Sequence, residues 1–182
     1  MARTTVIQNP TLGLLNFLGE RAAALVEQDR LDLTPIFQQR IEMATRPVPR
    51  CDVLFLYCKL DAQARVVAPF LTLRELVRRA GARIAVVASD IPKEDIANPH
   101  FATALGGNNT WPANIAITLD RGGAPFGRVF VRLFSMMLDG TDMLTAWVTI
   151  VPQIPNQPSD PPVMFMVPEA GAIAFGPLAP AN

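Results

Sequence analysis

The sequence predicts a mixed α/β fold, in which helices pack on a mixed sheet of about six strands. Two observations support this fold class. Residues 51–58 and 83–89 are short apolar runs, and the segment 66–81 between them is amphipathic and ends in a glycine, which is the outline of a parallel βαβ unit over 51–89. Residues 128–138 and 143–151 flank a short turn and predict an antiparallel hairpin, so that the second half of the sheet is antiparallel.

The chain has 182 residues, a length that suits one domain and buries roughly 70% of the unfolded surface. No linker or low-complexity stretch divides it. We therefore expect a single domain over 1–182, with a helical lead at 1–46, a parallel α/β core at 51–120, and antiparallel strands with a proline-rich tail at 121–182.

The helical lead is predicted to contain two helices. The first runs from about residue 11 to residue 28, because Leu14, Leu18 and Leu25 recur at near-helical spacing. Thr34 and Pro35 then supply an N-cap and a first-turn proline for a second helix that ends near residue 45. Both helices are expected to form a layer on the sheet, with an arm that grips a partner as the alternative.

The core strands are apolar on both faces, as inner strands of a parallel sheet are. A third strand is predicted at 114–119, and the turn at 120–125 is too short for a crossover, so the chain is expected to reverse there. Residues 163–167 predict a last strand at the edge of the sheet. The sequence thus predicts parallel pairing first and antiparallel pairing afterwards.

Charge and cysteine content exclude several classes of protein. Residues 1–132 hold all 16 basic residues and 12 acids, whereas 133–182 hold four acids and no base. A net charge of +4 spread over the first segment is too dilute for nucleic-acid binding. No apolar run approaches the roughly 20 residues that span a bilayer. Cys51 and Cys58 would lie too far apart on one strand for a disulfide, so we expect reduced thiols and a cytoplasmic protein that contacts no membrane.

Polar residues follow each of the three predicted parallel strands, at the edge where ligands of open α/β sheets bind. Three acids here could hold a divalent cation, and the basic residues could face a phosphate. Residues of this kind also cap helices and form turns, which is the structural alternative. The candidate ligand-binding residues are Lys59, Asp61, Ser89, Asp90, Asp120 and Arg121.

No catalytic residue set or cofactor motif emerges from the sequence. A Cys58–His100 pair could form a thiolate nucleophile, but nothing in the sequence brings the two loops together. One histidine and two cysteines on one strand also leave no zinc site, so no metal ligands are assigned. Trp111 and Trp147 are candidate interface anchors, together with Thr145 and Thr149 on the Trp147 face of the predicted hairpin.

Two functions from different classes fit these observations. The first is a non-enzymatic interaction or assembly module, which oligomerises or docks on a protein partner through the hairpin half and the uncharged C-terminal region. It follows from the positive mean hydropathy and the uneven charge. The second is a small α/β enzyme or ligand sensor that binds a phosphorylated ligand, with Mg²⁺ as a candidate ion, at the carboxyl ends of the parallel strands.

Overall fold

The fold is given by a computed structural model, which describes residues 4–61, 63, 65–68, 71–89, 114–118, 125–150, 163–166 and 171–176. The described strands are β1 (Thr5–Ile7), β2 (Leu12–Asn16), β3 (Ile41–Ala44), β4 (Val53–Tyr57), β5 (Ile84–Ala88), β6 (Asn114–Thr118), β7 (Val163–Met166) and β8 (Ile173–Phe175). The described helices are α1 (Glu20–Phe37), α2 (Leu73–Ala80), α3 (Pro125–Leu138) and α4 (Met143–Ile150).

The strands form two sheets, not the single sheet that the sequence predicted. The larger sheet has six strands in the order β3-β2-β4-β5-β6-β7. Its first five strands run parallel, and β7 lies antiparallel to β6 at the edge. The smaller sheet pairs β1 with β8 in parallel and so joins the two ends of the described chain.

The predicted βαβ unit is confirmed as β4, α2 and β5. Strands β4 and β5 are buried along their whole length and pair in parallel. Helix α2 begins later than predicted because Thr72 caps it, its side chain accepting a hydrogen bond from the Glu75 amide at 3.1 Å. Gly81, with a φ of 70°, ends the helix in the left-handed conformation.

The predicted helical lead is wrong in its boundaries. Residues 12–16 form an inner strand, since the leucines of β2 are buried on both faces of the sheet. Helix α1 then continues through Pro35, because Ile36 and Phe37 bury their side chains beyond it. The segment predicted as the second helix therefore contributes only the last turn of α1, and the chain returns to the sheet as β3.

The predicted antiparallel hairpin is also wrong, because residues 125–150 form the two helices α3 and α4. Met143, Ala146, Trp147 and Ile150 are buried at helical spacing along α4. The turn between the helices is a Schellman motif, in which Gly140 (φ of 89°) and Thr141 donate to the carbonyls of Met137 and Met136. The burial of one stripe of side chains therefore favours a helix here, despite the local alternation of polar and apolar residues that predicted a strand.

The larger sheet is covered on both faces. Helices α1, α3 and α4 bury one face in a core rich in aromatic rings. In this core Phe55 and Phe130 meet edge to face, with their ring centroids 5.4 Å apart. Helix α2 covers the other face with aliphatic side chains. The coarse prediction of an α/β fold with helices packed on a sheet is confirmed. No helix in the described part of the chain is long and apolar enough to cross a membrane.

Candidate functional site

The carboxyl ends of β2, β4 and β5 lie level with one another. Asn16, Tyr57 and Ala88 are partners in the strand register. The ladder continues one residue further, since the Phe17 amide donates to the Tyr57 carbonyl at 2.8 Å and the Cys58 amide donates to the Ala88 carbonyl at 3.2 Å. The residues that follow the three strands are therefore held side by side at one edge of the sheet.

This edge contains the point where the strand order reverses. From β2 the chain crosses through α1 to β3 on one side, whereas β4 pairs on the other side of β2. Helices α1 and α2 accordingly cover opposite faces of the sheet. Such an arrangement defines a doubly wound α/β protein, and ligands of this class bind in the crevice outside the carboxyl ends at the reversal point.

A cleft of about 510 Å³ lies at this reversal point. Its volume falls within the roughly 300–1,000 Å³ of small-molecule sites. The loop after β2 and the first turns of α1 form one side, and the segment after β4 together with the end of β5 forms the other. The lining residues that matter for its chemistry are Phe17, Arg21, Leu25, Lys59, Val67 and Ser89.

The charged groups among the described lining residues of the cleft are positive. Arg21 and Lys59 are exposed, and neither forms an ion pair with a residue that the structure describes. The described lining contains no acidic side chain. Helix α1 begins beside them at Gly19, and no side chain caps its N-terminus. The helix dipole adds partial positive charge at that end, which Glu20 in the first turn partly offsets, so the described charges of the cleft favour an anion.

Ser89 is the buried polar group of the cleft. Its residue is 2% exposed, and its Oγ has no hydrogen-bond partner within the described ranges. A buried hydroxyl without a partner costs free energy, and native proteins contain few of them. The Ser89 hydroxyl is therefore available to donate to an acceptor in the cleft.

The wall after β4 is held by backbone hydrogen bonds. The Val67 amide donates to the Lys59 carbonyl at 3.0 Å, and the Val66 amide donates to the Leu71 carbonyl at 2.8 Å. Leu60 and Val66 also form an antiparallel bridge. Lys59 and Val67 consequently occupy fixed positions on one small loop.

The structure places two of the predicted ligand residues, Lys59 and Ser89, on the cleft. Asp61 is not among the residues that line the cleft: its carboxylate accepts hydrogen bonds from the amides of Gln63 and Arg65 and from the Arg65 Nε at 2.8–2.9 Å. The remaining three predicted residues, Asp90, Asp120 and Arg121, lie outside the described residues.

Sequence reasoning missed the contribution of α1 to the site. Arg21 and Leu25 reach the cleft because β2 ends at Asn16, whose side chain accepts from the Leu18 amide and donates to the Gly19 carbonyl, both at 2.9 Å. This turn directs α1 away from the sheet edge. In the sequence, Asn16 and Gly19, which stand just before the helical run, were the available indication that a helix starts at this point.

The Cys58–His100 pair was considered from the sequence but not predicted, and the surroundings of Cys58 do not favour a thiolate. Burial raises the pKa of the Cys58 thiol from 9.0 to about 12, so the thiol is neutral near pH 7. Cys51 is buried as well, and burial raises its pKa to about 12. His100, the proposed partner of Cys58, lies outside the described residues. The described residues likewise contain no group of three or more side chains that could hold a metal ion.

The predicted interface residues do not share a face. Trp147 is buried in the core on α4, whereas Thr145 is exposed and donates its hydroxyl to Asp142 at 2.7 Å. Thr149 follows one turn later and donates to the Thr145 carbonyl at 2.7 Å. Trp111 lies outside the described residues. The expected shared face of Thr145, Trp147 and Thr149 depended on the predicted hairpin, and the structure has helices there instead.

A second groove, of about 630 Å³, lies on the α2 side of the sheet and shares Phe17 with the cleft. Its Arg79 is already paired with Glu75. Ser89, whose hydroxyl has no partner in the described part of the chain, lines the first cleft and not this groove. The first cleft is therefore the better candidate for a ligand site.

No protein-family model matches this chain, and no curated protein matches its sequence significantly. The function is therefore argued from the cleft itself.

Proposed function

We propose that this chain is a ligand-binding protein that holds a small anionic ligand, such as a phosphorylated compound, in the cleft at the carboxyl ends of β2, β4 and β5. The observation that supports it most strongly is the buried Ser89 hydroxyl beside two cations, all three without a partner among the residues that the structure describes. An anion would supply an acceptor for the hydroxyl and counter-charge for Arg21 and Lys59.

Each group has a separate role in this proposal. Lys59 and Arg21 supply full positive charges from opposite walls of the cleft, and the N-terminus of α1 adds its dipole. Ser89 donates one hydrogen bond from the floor. Mg²⁺ is left out of the proposal. Of the three acids predicted to hold it, Asp61 is the one that the structure describes, and its carboxylate already accepts hydrogen bonds from Gln63 and Arg65.

The proposal concerns binding and includes no reaction. A sensor needs only a cleft and a change in the protein on binding, whereas an enzyme also needs an activated group at the reacting atoms. The cleft cysteine is neutral, because burial raises the pKa of Cys58. Ligand binding is thus the function that the geometry supports best.

Isothermal titration calorimetry with phenyl phosphate tests this proposal. The wild-type protein should bind the probe saturably, and Lys59→Gln should weaken binding by about tenfold or more, since a charge-assisted hydrogen bond contributes about 1.5–3 kcal/mol. Arg21→Gln should act in the same direction.

Arg50→Gln is the matched control, because Arg50 is exposed before β4 at the opposite edge of the sheet. Removal of this charge should change the affinity by less than about twofold, because salt screens charges beyond about 8–10 Å. Saturable binding that survives both Lys59→Gln and Arg21→Gln would place the anion elsewhere and refute the proposal, as would a wild-type protein that binds no anion.

A second function, protein interaction, is favoured by one observation on α4. Leu144 and Val148 lie one helical turn apart and are 49% and 57% exposed. We propose that this pair contributes to an interface between copies of the chain, as apolar surface of this kind often does. Native mass spectrometry should then show an oligomer that Leu144→Glu dissociates, and a wild-type monomer at micromolar concentration would contradict it.

A further inference from the structure

We infer that the ligand of the cleft is amphipathic, with a phosphate or carboxylate head joined to a short apolar body. This inference rests on the proposed function, which requires only an anion, and it adds the class of molecule that the anionic group belongs to.

The cleft exposes apolar side chains that a compact anion would leave in contact with water. Leu25 from α1 is 39% exposed and Val67 from the loop after β4 is 40% exposed, and both line the cleft. Phe17 and Leu18 add partly buried apolar surface on the α1 side. Large apolar side chains exposed in a concave site are stabilised when a ligand covers them.

Cationic and apolar side chains lie close to each other both on α1 and on the loop after β4. On α1, Arg21 and Leu25 are four residues apart and therefore lie on one face of the helix, one turn from each other. On the opposite wall, Val67 is tied to Lys59 by the hydrogen bond between its amide and the Lys59 carbonyl. Each wall thus offers one cation and one apolar side chain at a fixed separation.

This arrangement matches a molecule with two unlike ends. The head would meet Lys59, Arg21 and the Ser89 hydroxyl, and the body would lie between Leu25 and Val67. Inorganic phosphate satisfies only the first set. The cleft volume of about 510 Å³ leaves room for a body of several carbon atoms in addition to the head.

The test is a calorimetric series of straight-chain ligands on the full-length protein, from methyl to hexyl phosphate and from acetate to heptanoate. Affinity should rise by about fourfold for each methylene that becomes buried, which is about 0.8 kcal/mol each converted at 1.36 kcal/mol per factor of ten. Leu25→Ser and Val67→Ser should flatten this dependence on chain length, so that each variant weakens the binding of hexyl phosphate more than that of methyl phosphate.

Leu31→Ser is the control for the two serine variants, since Leu31 is 50% exposed on α1 but does not line the cleft. It should preserve the dependence on chain length. A rise in affinity with chain length in either head-group series supports the inference. Affinities that do not rise with chain length in either series, with binding that still needs Lys59, would overturn the amphipathic ligand and leave the anion site standing. Absence of binding throughout would instead overturn the proposed function.

Discussion

The polar groups at the two ends of the central strands differ in whether they have hydrogen-bond or ion-pair partners within the described residues. At the amino end, the Asp52 carboxylate accepts from both the amide and the hydroxyl of Thr11 at 2.9 Å, and the Asp52 amide donates to the Thr11 hydroxyl at 3.0 Å. At the carboxyl end, Lys59 and Arg21 are unpaired and the Ser89 hydroxyl has no partner, as far as the described residues extend.

Side-chain packing also differs between the two ends of the strands, since the amino end is filled and the carboxyl end is open. At the amino end, a Cβ on Gly13 would lie 2.7 Å from Pro49 and 2.8 Å from Cys51, so no space is left there. At the carboxyl end, the same strands open into the cleft. The amino end thus closes the fold with its own side chains, whereas the carboxyl end keeps Lys59, Arg21 and Ser89, whose charged and hydroxyl groups have no partner among the described residues.

The largest expected effect concerns the hydrogen bond between Tyr57, the last residue of β4, and Asp29 of α1. Tyr57 donates its hydroxyl to the buried Asp29 carboxylate at 2.6 Å. Tyr57→Phe should lower the free energy of unfolding by about 3 kcal/mol, because a buried carboxylate loses a donor. Urea denaturation measures this change. An unaltered midpoint would contradict a stabilising role for this hydrogen bond.

Asp52→Ala breaks the amino end and should have a smaller effect. Two Thr11 donors lose their acceptor at a partly buried site, which should cost about 1–2 kcal/mol of unfolding free energy. The affinity for phenyl phosphate should not change, since the cleft lies at the other end of the strands. Calorimetry and urea denaturation of the same preparation test both statements, and a loss of affinity would show that the two ends are not independent.

Ser89→Ala should produce the reverse pattern at the carboxyl end. The free energy of unfolding should stay within about 0.5 kcal/mol or rise, because the hydroxyl has no partner to lose among the described residues and its burial is unfavourable. Phenyl phosphate affinity should fall by about two- to tenfold, the range of one neutral hydrogen bond. A clear destabilisation of the unliganded protein would contradict the assignment of Ser89 to a ligand.

The smallest effect at neutral pH belongs to the two buried thiols, one at each end of β4. Burial raises the pKa of Cys51 and Cys58 from 9.0 to about 12, so the folded state keeps protons that the unfolded chain releases. Stability from this source is complete below pH 9 and is lost as the pH rises towards 12. The double variant Cys51→Ser, Cys58→Ser should lack this pH dependence of the unfolding free energy, which urea denaturation measures. If wild type and double variant lose stability equally between about pH 9 and 12, the thiols are not its source.

The parallel core could be predicted from sequence because its residues are apolar on both faces of two short runs, a pattern that few other elements share. The hairpin prediction failed because Thr145, Trp147 and Thr149 alternate locally, whereas the burial of Met143, Ala146 and Ile150 follows a helical period. The spacing of Leu14, Leu18 and Leu25 crossed the boundary between β2 and α1, and only pairing of β2 with β3 and β4 reveals that boundary.

The same distinction applies to the cleft. Lys59 and Ser89 were predicted because each follows a strand whose parallel direction was evident. Arg21 and Leu25 could not be placed, because their position depends on the turn at Asn16 and on strand order, which arise from long-range pairing.

The most direct test of the account is to map phenyl phosphate binding onto the backbone amides by NMR titration. The account predicts saturable shifts for the amides of Phe17, Lys59 and Ser89 at the carboxyl end, and no comparable shifts for Thr11 and Asp52 at the amino end. Saturable shifts centred on Thr11 and Asp52, or no saturable shifts at either end, would contradict it.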